Sequence, residues 1–232
     1  MLPVKSLRGR FSAYTLAFAI LAGLAFASSQ PAQATLLWDN GDPNGSNAFP
    51  LHPMSTSFDD FTTGTPWTVT SVDFAMIVSK TSGDFSGPIE WKIYADIGDS
   101  PNLVTPLFSG NGINLAVLPD LSGTQCCLSR YDPFNVHFDL DVPTLLQANT
   151  HYWLGLHLPN SKGSYWSTTF DNPTPNGGFT ASTDVVLDVE DLSFKINGVA
   201  AATVPEPGAL TLIGFGLAGL GVMRRRQKKR LS

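Results

Sequence analysis

Cysteine is nearly absent from this 232-residue chain. The two present, Cys126 and Cys127, are adjacent. No CxxC pair exists, which excludes a thiolate zinc motif and a dithiol redox motif of that type. Neighbouring cysteines on a trans peptide rarely reach good disulfide geometry. A strained vicinal bridge, two free thiols, or pairing with another chain are the readings left. No G-x-S-x-G or HExxH is present, so the familiar serine-hydrolase and zincin signatures are absent. Glutamate is scarce as well. Lysine and arginine avoid the middle of the chain: between Thr35 and Thr203 only Lys80, Lys92, Arg130, Lys162 and Lys195 occur, against eighteen acids. Five cations and eighteen acids give that region a formal charge of −13. Such a surface repels nucleic acid and anionic lipid, and suits divalent cations and neutral polymers.

The missing cations sit at the two ends. Lys5, Arg8 and Arg10 precede an apolar run, Phe11 to Ala27, which is followed by "SSQPAQA" ending in Ala32-Gln33-Ala34. Positive, apolar, then small-x-small is the order of a secretory signal peptide, with cleavage expected after Ala34. Ala32 and Ala34 are the cleavage-site residues. The alternative is an uncleaved anchor, against which the Ala-x-Ala and Pro31 argue. Arg8 and Arg10 are not adjacent, so export through the Sec translocon is expected rather than a twin-arginine route. Residues 1–34 are thus read as a signal helix and residues 35–203 as one domain, long enough for a full core.

That domain reads as strands. "IEWKIYAD" sets Ile89, Trp91, Ile93 and Ala95 on one face and Glu90, Lys92, Tyr94 and Asp96 on the other. "FNVHFDLD" and "HYWLGLHL" alternate in the same way. In "WTVTSVDFAMIVS" the apolar set begins at Trp67 and Val69 and then shifts to Val72, Phe74, Met76 and Val78, which predicts a β-bulge. A similar break separates Val185, Leu187 and Val189 from Leu192, Phe194 and Ile196. "VPTLLQANT" has room for one helical turn. Asn-, Gly- and Pro-rich turns separate the runs. The expected fold is all-β: an antiparallel β-sandwich, with a jelly roll preferred over an immunoglobulin-like order.

The chain closes on "TVPEPGALTLIGFGLAGLGVMRRRQKKRLS". Gly208 to Met223 is apolar or small, and as a helix would span about 24 Å against about 30 Å of hydrocarbon. A transmembrane helix at 208–223 is expected, short but workable with local thinning. Arg224, Arg225, Arg226, Lys228, Lys229 and Arg230 would hold its end on the cytoplasmic side. Pro205 and Pro207 favour an extended approach. Val204-Pro205-Glu206-Pro207, the Gly-rich apolar run and the basic tail resemble the PEP-CTERM sorting signal of Gram-negative bacteria, over residues 204–230. The resemblance implies recognition by an exosortase, a membrane protease-transpeptidase, removal of the tail, and passage to the cell surface or extracellular polysaccharide. A plain single-pass anchor is the competing reading. The middle domain is only weakly similar to the domains attached to such signals.

Candidate sites inside the domain are few. Asn40, Asp42 and Asn44 in "NGDPNG" alternate oxygens as a calcium loop does, but the loop fails at its twelfth position, Leu51. An Asx-rich turn is the competing account; Asp39 or Asp191 could complete a structural Ca²⁺ site of another kind. No other cofactor is expected. His137, and His151 with His157, could reach zinc if their strands paired; otherwise they lie on a solvated face. Tyr165 and Trp166, with Asp171 and Asn172, could form a sugar-binding edge, unless Trp166 turns into the core. A glycosidase pair would have to come from acids such as Glu90 and Glu190, both on strand-like runs. The expected function is structural or adhesive, non-enzymatic, at the envelope or in a biofilm. A carbohydrate-binding module for extracellular polysaccharide and a glycoside-active enzyme are the alternatives.

Overall fold

The computed structural model describes residues 34–81, 85, 87–121, 129–170, 177–181, 184–187 and 190–201. These form thirteen strands: β1 (Thr35–Asp39), β2 (Ala48–Pro50), β3 (Ser57–Thr63), β4 (Trp67–Ser79), β5 (Glu90–Ala95), β6 (Phe108–Pro119), β7 (Tyr131–Leu146), β8 (Thr150–His157), β9 (Ser164–Thr169), β10 (Gly178–Ala181), β11 (Asp184–Leu187), β12 (Asp191–Leu192) and β13 (Phe194–Ala200). The described part is all-β and antiparallel, as the alternating patterns predict. Among the described residues no helix is long and apolar enough to cross a membrane; both segments expected to be terminal helices lie outside them.

The strands make one curled sheet in the order β1-β13-β4-β7-β6-β5-β8-β3-β10-β11, with β9 joined to β4, β2 and β12. Two strands produce the curl. β6 pairs with β5 over its first residues and with β7 from Gly112 onward. β4 gives one edge to β7, and the other first to β13 and then to β9. The bulge read from the apolar shift in β4 is present, between Val69 and Ser71. "VPTLLQANT" holds no helical turn: β7 runs through Leu146, and the chain then reverses to β8 with Asn149 at φ 49°, a left-handed conformation asparagine tolerates.

One apolar core fills the curl. It joins Phe61, Trp67, Val72, Phe74, Trp91, Ile93, Val136, Phe138, Leu154, Leu156, Trp166, Phe194 and their neighbours. A smaller cluster of Phe58, Tyr94 and Trp153, closed by Leu103, lies apart from it. This corrects the simple alternation expected of β5 and β8. Tyr94 belongs to the nominally polar set, yet it is buried, because the chain beyond β5 returns over that face.

Candidate functional site

Asn40, Asp42 and Asn44 face three different ways. Asn40 is buried; its Nδ2 donates to Asp59 Oδ2 at 2.8 Å and to the Leu192 carbonyl at 2.9 Å. Its Oδ1 accepts from the Trp38 indole. Asp42 points outward to Lys195 Nζ, 3.2 Å away. Asn44 Oδ1 accepts from Ser46 and from Thr168 Oγ1. These oxygens serve turns and a strand tie, so the alternate spacing does not gather them into one cage.

Beside the more exposed group of Asp96, Asp99 and His151, the carboxylates that converge among the described residues are Asp59, Asp60 and Asp191, whose oxygens lie within 4.8 Å of one another. All three are buried. Asp59 accepts from the Leu192 amide at 2.6 Å, from Asn40, and from the Asp60 amide. Burial, and then the charge of Asp191, push its carboxyl well above the ordinary range. Asp60 Oδ1 is buried with no hydrogen-bond partner among the described residues. Clustered carboxylate oxygens are the donor set a hard divalent cation such as Ca²⁺ takes. The sequence reading named Asp191 but passed over Asp59 and Asp60. The signal was there: two acids between Phe58 and Phe61 in a run that buries both faces.

Asp60 also meets a histidine. His151 Nε2 lies 2.5 Å from Asp60 Oδ2, and its Nδ1 is 3.5 Å from Asp96 Oδ1. Asp96 in turn accepts from the Trp153 indole at 2.9 Å. His151 is therefore held between two acids rather than on a solvated face. His157 bonds the Ser55 carbonyl. The zinc grouping is corrected on topology: β7 pairs with β4 and β6, β8 with β3 and β5, so His137 and the β8 histidines lie on strands that do not pair.

His137 sits instead between Asp73, 2.7 Å away, and Asp139, 3.4 Å away. It lines a cleft of ≈ 320 Å³ with Asp42, Asn135, Lys195 and Leu118.

The sugar-edge expectation is corrected at its central residue. Trp166 is 0% exposed, packs edge-on against Phe74 and Phe194, and donates its N–H to the Ser193 carbonyl. It cannot offer a ring face to a ligand. Tyr165 is half-buried, against Tyr131. Asp171 and Asn172 lie outside the described residues, as do Cys126, Cys127 and Ala32. Ala34 is exposed one residue ahead of β1. Glu90 faces His157 and Asn111 across the sheet.

At the other end, β13 finishes at Ala200, and the Ala201 amide donates to the Pro66 carbonyl at 2.7 Å. The domain holds the chain up to that point. Val204 to Pro207 and the basic cluster lie beyond the described residues. No curated protein matches the chain. Residues 203–227 match the family model for the PEP-CTERM protein-sorting motif. Such a motif implies export, a C-terminus anchored in the membrane before cleavage, and processing by an exosortase, and it is the PEP-CTERM sorting motif that the chain carries at residues 203–227.

Proposed function

We propose that the β domain is the cargo of this sorting signal: a structural or adhesive module, without catalytic activity, delivered to the cell surface or the extracellular matrix of a biofilm. The observation that carries the reading is the closeness in sequence of a folded acidic domain, in which Ala201 is still tied to Pro66, to the sorting motif matched from residue 203. In this reading residues 1–34 are a signal peptide removed after Ala34, and the curled sheet is a two-layered sandwich of jelly-roll type. Calcium is a structural ion of the same reading, with Asp59, Asp60 and Asp191 as its ligands. Mass spectrometry of the protein recovered from the cell surface tests it. The expected masses begin near Thr35 and end within or near residues 204–207. Surface material that retains the basic tail overturns the sorting route.

A carbohydrate-binding role is the second reading. What favours it is the cleft at His137, where carboxylate, amide and ammonium groups sit beside Leu118. A glycan array checks it: binding lost on Asn135→Ala supports this cleft, and no binding to any glycan leaves the structural role.

A further inference from the structure

The first and last described strands are tied to the rest of the domain at the buried carboxylates. Among the described strands β1 pairs only with β13, and β13 pairs onward with β4; neither pairs with β3. Asp59 of β3 joins them. Its Oδ2 accepts from the Leu192 amide at 2.6 Å and from Asn40 Nδ2 at 2.8 Å. Asn40 follows β1 directly, and its own amide donates to the Phe194 carbonyl at the start of β13. Between Leu192 and Phe194, the Ser193 amide donates to the Ser167 carbonyl. The end of β1, the short β12 and the entry to β13 are therefore held against β3 at one place.

That junction is built around like charges. Asp59 and Asp60 come from β3 and Asp191 from β12, with their oxygens within 4.8 Å of one another. Asp60 is only 7% exposed; His151 takes its Oδ2, while its Oδ1 is buried with no hydrogen-bond partner. Glu190, next to Asp191, likewise buries its Oε2 without a partner. Neither Asp59 nor Asp60 pairs with a lysine or arginine among the described residues. Carboxylate oxygens denied both water and a donor are costly, and a hard divalent cation supplies what they lack. Without one, repulsion pushes β12 away from β3. Any such movement takes Leu192 off Asp59, and Asn40, which also donates to the Leu192 carbonyl, goes with it.

We propose that calcium acts here as a clasp on the two terminal strands. Bound by Asp59, Asp60 and Asp191, it holds the end of β1 and the entry to β13 against β3. In its absence these segments open together, while the β4–β7 and β5–β8 ladders persist. Binding in the range of extracellular calcium modules, about 10⁻⁴–10⁻³ M, closes the clasp where calcium is plentiful and leaves it loose in a compartment poor in the ion. This deepens the structural-calcium reading above and rests on it.

Two measurements on the full chain in detergent micelles test it: calorimetric titration with calcium alone, and hydrogen–deuterium exchange in calcium or in EGTA. In EGTA, peptides over residues 38–41 and 191–196 should exchange at least about tenfold faster than those over the middle of β7 and β8, and calcium should slow them at least about tenfold. Asp191→Asn should bind no calcium, and exchange at those residues should no longer respond to it. If calcium binds but these peptides are as protected as β7 and β8 in EGTA, or do not slow when it is added, the clasp is wrong while the ion's site stands. If the titration shows no binding, or Asp191→Asn binds as the unaltered chain does, the clasp and the calcium reading fall together.

Discussion

Trp91 donates its indole N–H to Asp141 Oδ1, 3.2 Å away, and the two meet over Gly110. Asp141 also accepts from the Asn111 amide. This is where β6 leaves β5 for β7, so the contact pins the curl of the sheet. A Cβ on Gly110 would come within 2.1 Å of Asp141 Oδ1 and 2.8 Å of the Trp91 ring. Gly110→Ala must therefore displace the carboxylate or the indole. We expect a loss of about 2 kcal/mol or more, from strain and from leaving a buried N–H without its acceptor. Urea denaturation followed by tryptophan emission measures it. Unchanged stability would show that β6 shifts freely at its corner.

Trp166 supports the fold from within. Trp166→Ala opens a cavity between Phe74 and Phe194 and leaves the Ser193 carbonyl with only the Ala75 amide as a donor. The expected cost is about 3–5 kcal/mol. Any glycan binding would then fall because the domain unfolds. Thermal denaturation alongside glycan binding separates the two: a variant of full stability that loses binding would return Trp166 to a ligand surface.

Which parts were legible follows from the range of each cue. The β4 bulge shows in the step from Val69 to Val72, because a bulge changes local alternation and nothing else. The core faces of β5, β7 and β8 show for the same reason. Strand order does not show: β4 pairs with β13, far along the chain, and side-chain fit rather than local pattern selects that partner. Nor does period-two alternation reveal that a loop carrying Leu103 closes over Tyr94 and Trp153. In the site, the oxygen-rich "NGDPNG" drew notice because its spacing is a known motif. The acids that converge come from β3 and β12, two strands that are distant in sequence.

Tyr94 gives the domain an alkaline limit. Burial raises its phenol to about 12 from an ordinary 10.0. The folded state disfavours the phenolate, so this contribution is whole below the unfolded pKa of about 10 and is lost as pH rises through about 12. The shift corresponds to about 2–3 kcal/mol. Absorbance at 295 nm should show a tyrosine that titrates late, and Tyr94→Phe should remove that step and soften the alkaline decline. A titration unchanged in Tyr94→Phe rejects the assignment.

The carboxylate group of Asp59, Asp60 and Asp191 predicts a response to calcium. Three acids within 4.8 Å repel one another in a dry site, and a divalent ion would turn that repulsion into attraction. Added Ca²⁺ should raise the melting temperature and a chelator should lower it. Asp191→Asn should abolish the response while keeping the fold, since the Asp59 bonds to Leu192 and Asn40 stay in place. A melting temperature indifferent to both treatments dismisses the ion.

Sorting predicts two different failures for two kinds of tail variant. Pro205→Ala with Pro207→Ala removes the two fixed φ angles and lets the peptide join a helix with the apolar run. The motif is then no longer presented as an extended strand, while the anchor keeps its length and charge. Such a chain should accumulate uncut in the inner membrane. Arg224→Gln, Arg225→Gln and Arg226→Gln together leave the motif intact but weaken the stop. An apolar run that spans only about 24 Å as a helix relies on its basic flank to stay put. That chain should be recovered full-length outside the membrane. Fractionation with mass analysis distinguishes the two, because the first variant is retained and uncut and the second is released and uncut. Normal processing of either variant would mean that the corresponding part of the tail does not perform its assigned task.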